Sequence, residues 1–181
     1  MLWWFFHGLP RARVEAYLFA PPGSATAWIA ALAFAALYAG YTLHGLSFVG
    51  TYALSPSRWR EAPGLKLFAL PMALVTGIFE EAFFRRYLMD AVWHTGGTGT
   101  VQVLVSAIVF GLAHGVWALF GGLAAGIGAT VSTTVLGAML AVVYLLGGRA
   151  LLPCIASHTL INLVIEPWLI LAATSRSWGR R

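Results

Sequence analysis

Five long apolar runs, separated by short polar or glycine-rich stretches, set the pattern of this chain: about 25–49, 65–89, 101–120, 129–146 and 151–173. A membrane-crossing helix needs about 20 mostly apolar residues, and each run approaches that length. The pattern predicts an all-α fold, a polytopic transmembrane bundle of about five spanning helices plus an N-terminal interfacial segment. Residues 1–24 mix aromatics with Arg11, Arg13 and Glu15, are interrupted by Pro10 and close on Pro21-Pro22, which suits a segment lying in the interface. Residues 25–64 hold the first spanning helix and a solvated loop, Ser55 to Gly64. Residues 65–173 form a core of four helices, and 174–181 a basic tail. His94 to Gly99 reads as a turn, and Gly121 to Gly128 as a glycine-rich connection shared in part with the fourth helix.

Composition agrees. Hydrophobic residues make up 60% of the chain and charged residues 9%, against about 25% charged in a soluble domain. So few charges do not coat a soluble globule, and the bilayer is the expected partner. The net charge of +5 sits mainly at segment ends, at Arg58, Arg60, Lys66, Arg149, Arg180 and Arg181 among others, where headgroups meet a membrane protein. It forms no basic stripe interleaved with aromatics, so nucleic acid is not an expected partner. The bases divide almost evenly between the two sides and set no orientation. Cys154 is the single cysteine, which rules out an internal disulfide and a cysteine zinc cluster. The apolar start, Trp3 to Phe6, is too short for a signal peptide and no small-residue cleavage site follows it.

Polar groups inside the apolar runs carry the chemistry. An ionisable side chain at mid-span costs about 2.5–3.5 kcal/mol on insertion scales and is a functional candidate by default. The second run reads Glu80-Glu81-Ala82-Phe83-Phe84-Arg85. Glu81 and Arg85 share a helical face and can pair. Glu80 points about 100° away, without such a partner, and is the candidate general base. The third run carries His114, flanked by Gly111 and Gly115, which allow close helix approach. The fifth carries His158 and Asn162, four apart on one face. They could aim donors at an oxyanion or bridge helices. A carboxylate, two imidazoles and an amide facing one point would suffice for amide hydrolysis.

In order, EEAFFR (80–85), FGLAH (110–114) and HTLIN (158–162) follow E-E-x-x-x-R, F-x-x-x-H and H-x-x-x-N. This resembles the CPBP family, the type II CAAX prenyl endopeptidases and related bacteriocin-processing proteins, over about residues 65–170. The resemblance implies an intramembrane glutamic endopeptidase in the cell membrane, of prokaryotic type, without cofactor or metal. Glu80 would activate a water with help from His114. His158 and Asn162 would form the oxyanion hole, and Glu81 with Arg85 would support the site. The substrate would be a membrane-associated peptide or protein, CAAX-like or carrying a C-terminal signal. Helices that larger members add before the core are mostly missing, so a homodimer or lipid could complete the enclosure.

Three other readings compete. Glu80, His114 and His158 could hold a zinc ion with an open fourth position, although no HExxH helix is present. Cys154, His158 and Asn162 share a face and could form a cysteine protease set. A non-enzymatic immunity or binding protein, or a small transporter, could use the same groups. Glu166, before Pro167, adds a carboxylate on the His158–Asn162 face, as a proton pathway would need, or reads as a helix-end residue. Arg86 and Asp90, four apart, are expected to pair.

Overall fold

The computed structural model describes residues 15–18, 21–45 and 63–174. Most of the expected interfacial segment, the loop around Ser55 to Arg60 and the basic tail lie outside them. The described residues are helical and include no strand. Helix α1 spans Ala25–Gly45. Helix α2 spans Pro63–Glu81 and continues as a π-helix, Ala82–Met89, and a short helix α3, Asp90–His94. Helix α4 spans Gly99–His114 and a 3-10 turn follows at Gly115–Trp117. Helix α5 spans Ala118–Leu146 and α6 Leu152–Thr174.

Three continuous helical stretches are long and apolar enough to cross a membrane: Ala25–His44, Leu67–His94 and Gly99–Leu146. The third is 48 residues, or about 72 Å if straight, more than twice the hydrocarbon core of a bilayer. It folds back instead. Gly99 faces Leu145, Gly111 faces Thr130 and Thr134, and Gly115 faces Thr130, so α4 and α5 run antiparallel. The chain is thus an all-α membrane helix bundle. The reversal lies at Gly122, inside the Gly121–Gly128 connection expected from the sequence: Gly115 faces Thr130 and Ala118 faces Gly126, so the 3-10 turn at Gly115–Trp117 only interrupts the first leg. Gly122, with φ 77° and ψ 179°, makes this reversal in a conformation that favours glycine. The remaining glycines thought to form a connection are helical, and Gly126 packs its backbone onto Ala118.

Local chemistry sets the helix starts. Ser24 accepts from the backbone N–H of Ala27 (3.1 Å) and donates to Leu146 O (2.9 Å), capping α1 and tying it to the end of α5. Thr98 caps α4 by accepting from Val101 N–H. Lipid is as apolar as leucine, so small residues that admit close packing hold such a bundle together. At Gly111 an added Cβ would stand 1.9 Å from Thr134 Oγ1 and 2.7 Å from Thr130 O. At Gly77 it would stand 2.6 Å from Thr159 Oγ1, which brings α2 against α6.

A polar clasp closes the end of the bundle where α3, α4 and the α5–α6 turn meet. Arg149, at φ 69°, bridges to Asp90 and donates to Gln102 Oε1, and its guanidinium lies 4.4 Å from the Trp93 ring centre. Tyr144 donates to the same Asp90 carboxylate at 3.0 Å. Asp90 is therefore engaged by Arg149 and Tyr144, while Arg86 donates to Tyr17 O at 2.9 Å and lies over the Tyr17 ring.

Candidate active site

Helices α2, α4 and α6 carry the three polar clusters, and the fold brings them together around Glu80. The Nε2 of His158 lies 3.6 Å, and the Nε2 of His114 4.0 Å, from Glu80 Oε2. Glu80 is 30% exposed and His114 22%, whereas His158 is 3% exposed. The site has an open side at Glu80 and a closed floor beneath His158.

Glu81 forms that floor. Its Oε1 accepts from His158 Nδ1 at 2.8 Å, and its Oε2 lies 2.9 Å from Arg85 Nε. Glu81 and Arg85 are both fully buried. The Arg85 contact is an ion pair rather than an aligned hydrogen bond. Arg85 also donates to Ser106 Oγ at 3.0 Å, and Ser106 donates to Phe84 O at 3.0 Å. The π-helix begins at Ala82, directly after the two carboxylates. Its wider turn is rare in proteins and recurs at functional sites. Here it sets Glu80 and Glu81 toward α6 and Arg85 toward both Glu81 and α4.

Both imidazoles are fixed from behind. A carboxylate paired with Arg85 accepts, so His158 donates Nδ1–H to Glu81. His114 Nδ1 lies 2.9 Å from Phe110 O, a carbonyl that can only accept. Each neutral ring therefore presents an unprotonated Nε2 to Glu80, and a ring that donates from Nε2 must carry a second proton. Phe110 is the common plate. Its ring centre lies 4.5 Å from that of His114, 5.7 Å edge-on from that of His158, and 4.9 Å from the Arg85 guanidinium carbon.

One turn after His158, Asn162 Nδ2 donates to Thr76 Oγ1 at 3.1 Å. Thr76 and Ser106 were not singled out from the sequence. Thr76 lies four before Glu80 and so on its face, which was the available signal. Ser106 had none, because a hydroxyl in an apolar helix usually bonds to its own backbone.

Glu166 is not at a helix end. Helix α6 continues through Pro167 to Thr174, and Glu166 Oε2 is buried without a hydrogen-bond partner, within electrostatic range of Glu80 and His158. Cys154 is fully buried with its Sγ–H directed to Leu140 O (3.4 Å), and His158 Nδ1 is bonded to Glu81 rather than to the thiol, an arrangement that gives the cysteine protease set no support. Among the described residues no group of His, Cys, Asp or Glu has the arrangement of a metal site. The 3.6 and 4.0 Å separations at Glu80 exceed the roughly 3.3 Å between ligand atoms that zinc bonds of about 2.0–2.1 Å imply.

An α-helical, multi-pass bundle with two carboxylates and two imidazoles gathered among its helices, and an amide one turn further along α6, defines a membrane protein with an internal polar site. Residues 62–164 match the family of Rce1-like type II CAAX prenyl endopeptidases, and this stretch contains Glu80, Glu81, Arg85, His114, His158 and Asn162. The match covers more than half of the chain, and the protein belongs to that family of CAAX-type intramembrane proteases. No curated protein and no solved structure matches the chain.

Proposed function

We propose that the protein is a glutamic intramembrane endopeptidase of the cell membrane, in which Glu80 activates water against a peptide bond of a membrane-associated substrate. The observation that carries this reading is the approach of both Nε2 atoms to one oxygen of Glu80. A water held between Glu80 and His114 loses a proton to Glu80 while its oxygen attacks the scissile carbonyl. The developing oxyanion is met by Asn162 Nδ2–H and by His158 Nε2–H in the imidazolium form, held by Glu81. Collapse breaks the C–N bond, and the proton on Glu80 passes to the leaving amine. Atoms and charge balance with water as the only co-reactant.

Family membership favours a prenylated CAAX-like substrate, and the partial exposure of Glu80 gives an extended chain a route to it. The lipid bilayer and this peptide are the proposed partners. The test uses the purified protein in liposomes and a peptide ending in S-farnesyl-cysteine and three further residues. Wild type should release the terminal tripeptide, Cys154→Ala should match it, and Glu80→Ala should release none. Equal behaviour of wild type and Glu80→Ala would favour a binding protein instead.

A further inference from the structure

The carboxamide of Asn162 has two ends of nearly equal size and opposite chemistry, and only its NH2 end can serve an oxyanion. Thr76 distinguishes them. Its Oγ1 donates to Met72 O at 2.8 Å, with a second, longer approach to Ala73 O at 3.3 Å. A hydroxyl has one proton, and both of these neighbours are carbonyls of its own helix. Toward Asn162, Thr76 is therefore an acceptor. It binds the NH2 end, as seen at 3.1 Å, and would face lone pairs against lone pairs if the amide turned over.

The sequential hydrogen bonds Asn162 to Thr76 to Met72 leave one Nδ2–H uncommitted. We infer that Thr76 is a positioning residue that fixes the Asn162 carboxamide with its second N–H available to the oxyanion. The inference rests on the role proposed above for Asn162. It also makes α2 the source of both halves of the chemistry: Thr76 lies four residues before Glu80, so one helical face orients the oxyanion donor and supplies the base. Closeness of α2 and α6 at Gly77, where a Cβ would meet Thr159, keeps that face against Asn162.

Asn162 is the only asparagine in the chain, so labelling asparagine with 15N gives a single side-chain NH2 signal pair in proteoliposomes. In wild type the two Nδ2 protons should be inequivalent, one of them protected from solvent exchange. Thr76→Val should abolish that protection, and Thr76→Ser should retain it. On the farnesylated peptide, Thr76→Val should lower kcat about tenfold at unchanged KM, less than the roughly 100-fold or greater loss that removing an oxyanion donor causes. Thr76→Ser should be close to wild type, and Thr76→Val combined with Asn162→Ala no slower than Asn162→Ala alone. Should Asn162→Ala be impaired while Thr76→Val keeps both wild-type kcat and the wild-type amide signals, the role of Thr76 falls and that of Asn162 stands. Wild-type turnover by Asn162→Ala would overturn the role of Asn162 itself, and that of Thr76 with it.

Discussion

His158 and Glu81 are joined at 2.8 Å through Nδ1 and Oε1, from helices whose two residues stand 77 positions apart. The bond fixes the ring, sets which nitrogen faces Glu80 and shares its carboxylate with Arg85.

Glu81→Gln should lose both activity and stability. The amide keeps the shape but leaves Arg85, fully buried, without its counter-charge. Breaking a buried pair in this way costs about 3–5 kcal/mol. Thermal unfolding in detergent should show the loss. Residual folded protein should have a lower kcat, because His158 no longer has a carboxylate behind it.

Ser106→Ala should be milder. It removes the acceptor of Arg85 and the tie to Phe84 O, a hydrogen bond to a charged group worth about 1.5–3 kcal/mol. The melting temperature should fall and KM should not change, since Ser106 lies behind Arg85 and not beside Glu80.

Gly111→Ala and Gly128→Ala form a matched pair. The first would drive a Cβ into Thr134 and the backbone carbonyl of Thr130, whereas the second meets nothing within 4 Å. Overpacking costs about 1–3 kcal/mol, and here it would pry α4 from α5 and shift His114. Gly111→Ala should melt earlier and lose activity. Gly128→Ala should match wild type in both.

These contrasts also show what the sequence could reveal. Glu81 with Arg85 and His158 with Asn162 are legible because a spacing of four places both members on one face of an apolar helix. The approach of Glu80, His114 and His158 to one another comes from the packing of α2, α4 and α6, which no local spacing encodes. The reversal between the legs is legible as a glycine-rich stretch, since Gly122 takes a positive φ there, but its extent is not, because Gly126 is already a helical packing face against Ala118. The partners of Arg149 and Ser106 were not legible. Arg149 meets Asp90 across 59 positions and Ser106 meets Arg85 across 21, and no local spacing encodes such contacts.

Glu80 as the group that activates water is tested most directly by the turnover number of Glu80→Gln beside wild type, each with and without prior stripping by a zinc chelator. Glu80→Gln should lie about 10²–10⁴-fold below wild type, the range of a lost general base, and stripped wild type should keep its full rate. Wild-type turnover by Glu80→Gln, or a stripped enzyme that is dead until zinc is returned, would contradict the account.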